Sequence, residues 1–126
     1  MCIGDKALIM YEYKAKVVRV IDGDTIVLDV DLGFNMKITD EHFRLVGLNT
    51  PSLRSKIKEE RETAIKARDR LTELCPVGSE QIVIVKKRKE KYGRYLVIIS
   101  QPENMTTVNR ILINEGLAVP YYGEIE

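Results

Sequence analysis

The stretch Val17-Val18-Arg19-Val20-Ile21-Asp22-Gly23-Asp24-Thr25-Ile26-Val27-Leu28 places two carboxylates and a glycine between two apolar runs. Asp-Gly is a common hairpin signal, so a turn over Asp22–Thr25 explains the pattern by itself. A buried or half-buried carboxylate, however, costs several kcal/mol unless it is paired, hydrogen-bonded or bound to a metal. The stretch is therefore compatible with a plain turn and with a functional site, and other parts of the chain must decide.

The residues on either side of this bend have the two-residue period of β-strands. Before it, the apolar positions change parity at Val17 and Val18, which predicts a β-bulge. After it, alternation predicts a strand to Phe34, and Gly33-Phe34-Asn35 predicts a reversal. The side chains predicted to point inward from this strand are Ile26, Leu28, Val30, Leu32 and Phe34.

The rest of the chain continues with a third strand, a helix, two further strands and a second helix. The predicted elements are strand segments from Met36 and over 43–48, separated by a polar break at 39–42, a helix over 59–74, strands over 81–85 and 95–99, and a helix from Thr106 or Thr107 to Glu115. Gly116 can supply the left-handed end of that last helix. This order predicts a mainly β fold with α, a five-stranded OB-type barrel with two to three helices. An open α+β sheet with two helices on one face is the alternative.

Chain length, net charge, cysteine content and the length of apolar runs limit the possible classes of protein. A chain of 126 residues predicts one domain, over residues 11–126, after a flexible leader at 1–10. The net charge of +1 means that attraction for nucleic acid would need local basic patches. Cys2 and Cys75 lack a metal-binding spacing and are interpreted as reduced thiols. With no convincing signal peptide and no run of membrane-spanning length, we expect an intracellular, cytoplasmic protein.

Three polar groups outside the bend could carry chemistry. Arg44 interrupts an apolar strand, where a guanidinium needs a carboxylate or a phosphate; an ion pair with Asp22 or Asp24 is the structural alternative. Asn49 and Thr50 are oxygen donors just past that strand, or simple turn caps before a proline. The third group is the basic run Lys86-Lys87-Arg88-Lys89-Glu90-Lys91-Tyr92-Gly93-Arg94. Such a run suits a phosphate backbone and base stacking, or a solvated hairpin tip.

Taken together and in order, these motifs resemble the staphylococcal nuclease (thermonuclease-like) family. The resemblance covers residues 13–122 and rests on Val20-Ile21-Asp22-Gly23-Asp24-Thr25, Phe43-Arg44-Leu45, Asn49-Thr50-Pro51, Lys91-Tyr92-Gly93-Arg94 and Asn114-Glu115-Gly116-Leu117-Ala118. Each motif alone is weak, whereas their order and context are specific. The resemblance implies an OB-fold phosphodiesterase that uses Ca²⁺ and acts on DNA or RNA. We expect single strands to be the preferred partner, and we expect a monomer because the domain has no exposed apolar helix stripe.

The resemblance also implies roles for particular residues. Calcium would be held by the Asp24 carboxylate, the Asn49 side chain and the Thr50 main-chain carbonyl. Arg44 and Arg94 would hold the scissile phosphate and stabilise charge as water adds to phosphorus. The residues predicted to contact nucleic acid are Tyr92, Lys91, Lys86, Lys87, Arg88, Lys89 and Tyr122.

The chain departs from the family pattern at two positions. Asn49 stands where the most studied member has an aspartate, so one negative charge is missing and metal affinity should fall. Ser52 stands where the motif usually has the glutamate proposed as general base, and such a base typically contributes roughly 10²–10⁴-fold to the rate. Glu59 and Glu60 are candidate substitutes, although first-turn acidic residues also stabilise the helix dipole.

Three functions remain open from these residues. The favoured one is a weakened metal-dependent nuclease, because Asp24, Arg44 and Arg94 are retained together. A catalytically inactive nucleic-acid-binding OB module is the alternative, suggested by Ser52, Asn49 and the basic run. A protein-interaction version of the fold is compatible with the near-zero net charge, but no residue argues for it.

Overall fold

The fold is given by a computed structural model, which describes residues 10–89, 93–101 and 105–121, with the backbone alone at positions 10, 11 and 86–89. Within these ranges the chain forms β1 (Met10–Asp22), β2 (Thr25–Gly33), β3 (Met36–Leu45), β4 (Leu48–Asn49), α1 (Lys58–Leu74), β5 (Glu80–Lys89), β6 (Tyr95–Gln101), β7 (Thr106–Thr107), α2 (Val108–Asn114) and β8 (Val119–Pro120). The predicted leader lies outside the described residues except for Met10, with which β1 begins. None of the helices in the described part of the chain is long and apolar enough to cross a membrane.

Five of the strands close into a barrel. β1 pairs antiparallel with β2 on one side and with β5 on the other, and β2–β3 and β5–β6 extend the sheet in the same way. The ring closes where β3 and β6 pair in parallel, at Phe43↔Tyr95, Arg44↔Leu96 and Leu45↔Val97. This confirms the predicted OB-type barrel, and the alternative of an open sheet is wrong because β3 and β6 are joined.

The barrel interior and the two helices share one apolar core. Ile26, Leu28 and Val30 of β2 are fully or almost fully buried, as the alternation predicts. α1 packs against the barrel with a buried face of Ala64, Ala67 and Leu71. The two alanines allow a close approach of the helix backbone, whereas full burial of a leucine side chain contributes about 1.5–3 kcal/mol. The helix predicted over 59–74 is therefore confirmed, and it begins one residue earlier, at Lys58.

The bulge in β1 and both ends of α2 also agree with the sequence-based predictions. A register shift between Val17 and Arg19 in the β1–β2 ladder confirms the bulge. Thr107 caps α2, because its hydroxyl accepts a hydrogen bond from the Arg110 backbone N–H at 3.2 Å. Gly116 has a φ of +76°, the left-handed conformation expected at the end of this helix.

Phe34 does not point inward, so that prediction is wrong. Its side chain is 97% exposed. It lies in the two-residue connection between β2 and β3, and Phe34 and Asn35 both have positive φ, as a type I′ turn requires. Alternation identifies the face of each residue in a strand, but it does not show where the strand ends.

The polar break predicted at 39–42 is also wrong, since β3 continues through it from Met36 to Leu45. The irregularity is a register shift of the β2–β3 ladder opposite Asp29, where Asp40 has a φ of +53°. Its backbone N–H donates to Asp29 Oδ1 at 2.9 Å, and its carboxylate lies 3.7 Å from Arg19. Local polar contacts thus keep the strand intact where its sequence turns polar. The strand does end earlier than predicted, because Gly47, with a φ of +85°, separates β3 from β4.

Candidate active site

The β1–β2 turn is clamped between a helix and a loop. Asp22 pairs with Thr25 across the turn, and the Leu45 backbone N–H donates to the Asp24 carbonyl at 2.9 Å. A Cβ at Gly23 would lie 2.6 Å from Ala67 Cβ in α1 and 2.9 Å from Thr50 Cγ2. Gly23 is thus required for close packing, because real Cβ atoms essentially never approach other atoms this closely.

Arg44 is the central cation of the site. It is only 7% exposed, and its Nη1 lies 2.7 Å from Asp24 Oδ2. Its Nη2 donates to the Leu48 carbonyl at 3.0 Å and to Asn49 Oδ1. Of the two acidic partners considered for Arg44, the structure selects Asp24. The guanidinium therefore links the turn, β3 and β4, and it compensates a half-buried carboxylate that would otherwise be costly.

Asp22 and Asp24 are neighbouring acids with opposite pKa shifts. Burial raises the pKa of Asp22 to about 6, and the hydrogen bond and the charge of Asp24 add to the rise. Burial acts in the same direction on Asp24, but the hydrogen bond from Asp22 and the Arg44 guanidinium outweigh it and hold the Asp24 pKa below its usual range. The Asp24 backbone N–H also donates to Asp22 Oδ1 at 3.2 Å. Asp24 is thus the stable anion of the pair, and Asp22 the group that retains a proton longer.

Arg94 enters the same network through Thr25. Arg94 Nη1 donates to Thr25 Oγ1 at 3.2 Å, and Thr25 Oγ1 donates to Asp24 Oδ1 at 3.2 Å. The Thr50 backbone N–H lies 3.4 Å from Asp24 Oδ2. Asp24, Arg44, Asn49, Thr50 and Arg94, which are distant in sequence, are therefore brought together at one end of the barrel.

Ser52 and its candidate substitutes are occupied with local structure. Ser52 is exposed, and its hydroxyl accepts from the Arg54 backbone N–H at 3.0 Å within its own loop. Glu60 Oε1 accepts from the Ser55 hydroxyl at 2.6 Å. Glu59 and Glu60 lie in the first turn of α1, where acidic residues stabilise the helix dipole. These contacts give Ser52 and Glu60 local structural roles and do not connect either of them to Asp24.

The predicted nucleic-acid contacts fall largely outside the described side chains. Lys91, Tyr92 and Tyr122 are outside the described residues, and the four basic residues 86–89 are described only by their backbone in β5. The segment before Tyr122 does reach the site: β8 pairs with β4 at Asn49↔Val119, and the Tyr121 backbone N–H donates to the Gly47 carbonyl at 2.9 Å.

Two residues of the network, Asp22 and Thr25, have no role among the site residues predicted from the sequence. For Asp22 the sequence does contain a signal, because the Asp-Gly-Asp spacing places both acids in one turn. Thr25 follows directly and carries the hydroxyl that bridges Asp24 and Arg94. A threonine that opens a β-branched strand is ordinary, so sequence alone offers no sign of this bridging role.

The oxygen donors at this site fit a hard cation. No three His, Cys, Asp or Glu side chains meet as a metal cluster among the described residues. A cation here would instead be held by the Asp24 and Asp22 carboxylates with the amide oxygen of Asn49. Calcium accepts such a mixture of carboxylate, amide and carbonyl oxygens, whereas zinc prefers nitrogen and sulfur ligands. The donor set therefore fits calcium, with less negative charge than three carboxylates would provide.

Comparisons with known proteins identify the family to which the chain belongs. The chain is 27% identical over 122 residues to "Micrococcal nuclease" of Shigella flexneri and 29% identical over 136 aligned positions to "Uncharacterized protein MJ1439" of Methanocaldococcus jannaschii. Both alignments cover 90% of this chain and 62% of the relative, so the chain spans less than two thirds of either relative's length. The profile of the family described as "Staphylococcal nuclease homologue" matches residues 42–126, more than half of the chain. The chain therefore belongs to the staphylococcal nuclease homologue family.

Proposed function

We propose that this protein is a calcium-dependent phosphodiesterase that cleaves DNA or RNA slowly. The observation that carries the proposal is the network in which Asp24 faces Arg44 at 2.7 Å and is joined to Arg94 through Thr25. A carboxylate and two arginines at one barrel end suit a phosphate and a cation held side by side. The printed name of the Shigella flexneri relative, a nuclease, supports the same reaction class.

The two arginines have different tasks in this proposal. Arg94 is half-buried, so its guanidinium can reach a phosphate that arrives from solvent. Arg44 is buried and bound to Asp24, Asn49 and the Leu48 carbonyl, so it positions the site and adds positive charge behind the phosphate. Calcium, when bound, would neutralise phosphate oxygens and orient water. Phosphoryl transfer depends mostly on positioning and on such charge stabilisation.

The proposed rate is low because the position of the family's base carries a serine. Ser52 cannot remove a proton from water at its ordinary acidity, and its hydroxyl accepts a hydrogen bond from its own loop. We propose single strands as substrate and a monomer as the active form. The run of lysines and arginine over 86–91 supports strand binding, because a flexible single strand can follow local cations.

The test is cleavage of labelled single-stranded DNA and RNA across a calcium titration, with a chelator as control. We expect products that require calcium, and a large loss of rate in Arg94→Gln. Arg110→Gln is the matched control, since Arg110 is an exposed arginine on α2. Folded protein that gives no product at any calcium concentration would overturn the proposal.

A nucleic-acid-binding module without catalysis is the second candidate, favoured by the local engagement of Ser52 and Glu60. It predicts metal-independent binding that weakens steeply with salt, because neutralised phosphates release counterions. The double variant Ser52→Glu with Asn49→Asp separates the candidates. A rate increase of roughly 10²–10⁴-fold would identify a nuclease that lacks its base. A double variant that binds calcium and nucleic acid but gives no cleavage would favour the binding module.

A further inference from the structure

Thr25 lies between the two arginines of the site. It is the first residue of β2 and is only 4% exposed. Its backbone pairs with Arg44 in the β2–β3 ladder, and its hydroxyl is within 3.2 Å of Arg94 Nη1. A buried residue of the barrel wall therefore contacts both arginines, Arg44 through the backbone ladder and Arg94 through its hydroxyl.

The hydrogen bonds of Thr25 have a fixed direction. A guanidinium can only donate, and an ionised carboxylate can only accept. The hydroxyl must therefore accept from Arg94 and donate to Asp24 Oδ1, so both of its functions are used. Serine could replace it in this role, whereas valine has nearly the same shape and could not.

We propose that Thr25 is a positioning residue that couples the phosphate-binding arginine to the cation-binding carboxylate. The inference rests on the proposed function of Asp24 and Arg94. When a cation orients the Asp24 carboxylate, the Thr25 hydroxyl is oriented with it, and the Arg94 guanidinium is held where a phosphate meets it. Calcium and a phosphate group then bind cooperatively, and the coupling is reciprocal.

This role differs from that of a buried hydroxyl that merely satisfies its neighbours. A structural hydroxyl would affect stability alone, whereas a coupling hydroxyl affects how strongly calcium increases phosphate affinity. The ratio of phosphate affinities with and without calcium therefore separates the two roles, and it can be measured without any cleavage.

The experiment uses adenosine 5′-monophosphate as the phosphate probe and calcium chloride as the metal, both followed by calorimetric titration. We expect calcium to increase nucleotide affinity in the wild-type protein, and Thr25→Val to reduce that increase by roughly tenfold, within the usual range of coupling between sites. Thr25→Ser should retain the coupling. Thr106→Val is the matched control, since Thr106 is a half-buried strand threonine of β7.

The outcomes distinguish this inference from the proposed function. Coupling that is equal in Thr25→Val and wild type would overturn the inference and leave the nuclease proposal in place. A wild-type protein that binds neither calcium nor nucleotide would overturn both.

A measurement on the wild type avoids any folding defect of Thr25→Val. The nitrogen resonances of the Arg94 side chain, assigned with Arg94→Lys, should shift when calcium is added without nucleotide. An Arg94 signal that does not respond to calcium would overturn the inference.

Discussion

Arg44 and Asn109 are both buried polar residues near the β3–β6 closure, but they differ in what they contact. Asn109 Nδ2 donates to the carbonyls of Val46 and Val97 at 2.9 and 3.1 Å, and its Oδ1 accepts from the Ile99 backbone N–H at 3.1 Å. Every one of these partners is main chain. The contacts of Arg44, by contrast, include the half-buried side chains of Asp24 and Asn49.

The difference separates a structural polar network from one that can bind a ligand. The amide of Asn109 is matched to backbone groups and stabilises the attachment of α2 to the barrel seam. The Arg44 network ends on half-buried oxygens and holds two acids with opposed pKa shifts. Groups in such an arrangement are typical of functional sites.

The largest expected loss of stability comes from replacing Arg44. Arg44→Met removes the charge that compensates Asp24 and should lower the free energy of unfolding by about 3–5 kcal/mol, the usual result of leaving a buried ion unpaired. Denaturant unfolding measures this loss. Arg19→Met is the control, because the Arg19–Asp40 pair is exposed, at 54% and 71% of its side chains, and should contribute less than about 1 kcal/mol. Equal losses in the two variants would contradict the central role of Arg44.

Removal of the Asn109 side chain should lower the free energy of unfolding nearly as much as removal of Arg44, but it should leave the site unchanged. Asn109→Ala leaves the Val46 carbonyl and the Ile99 N–H without their side-chain partner and takes one of two donors from the Val97 carbonyl, which also accepts from the Val46 N–H, and this should cost about 3 kcal/mol. Calcium affinity of the folded protein should remain that of the wild type, because Asn109 contacts no group of the site. Asn114→Ala, an exposed position of the same helix, should change stability by less than about 0.5 kcal/mol. A loss of calcium affinity in folded Asn109→Ala would show that the two networks are not separate.

The sequence predicts the two networks unequally. The barrel follows from alternating strands and from the order of the motifs, because strand period and turn residues are local signals. Arg44 is conspicuous because a charge in an apolar strand needs a partner. Asn109 gives no such signal, since an asparagine near a helix start is usually a surface residue and its three partners are backbone groups of distant strands.

Other details also require the three-dimensional structure. The choice of Asp24 over Asp22 as partner of Arg44 cannot be made from spacing, because both acids flank the same glycine. Gly23 is consistent with a turn in the sequence, but the structure shows that contacts with Ala67 and Thr50 exclude a side chain there. The residues that make these contacts are far apart in the sequence, so the sequence alone does not show that they pack together.

Gly23→Ala tests the packing beneath the Arg44 network without changing any charge. The new Cβ would lie 2.6 Å from Ala67 Cβ, so α1 or the turn must move. Overpacking of this kind typically costs about 1–3 kcal/mol, and calcium affinity should fall as Asp24 is displaced. Combined denaturation and calcium titration measure both effects. A variant with wild-type stability and affinity would mean that the turn is less tightly clamped than the contacts indicate.

The smallest expected effect is a pH dependence of stability, which only the Arg44 network should show because the Asn109 network contains no acids. The folded-state pKa of Asp22, about 6, lies above the ordinary value of 3.8, so this group binds a proton more tightly in the folded protein. Its contribution to stability is complete below pH 4 and is lost as the pH rises through 6. The low pKa of Asp24 acts in a separate pH range, because its contribution to stability is lost as the pH falls below 4.

The free energy of unfolding of Asp22→Asn relative to the wild type should therefore rise by about 1 kcal/mol between pH 4 and 7, allowing for the partial exposure of Asp22. Unfolding free energies of the two proteins at pH 4, 5, 6 and 7 measure this difference, and parallel curves would mean that the pKa of Asp22 is not raised in the folded protein.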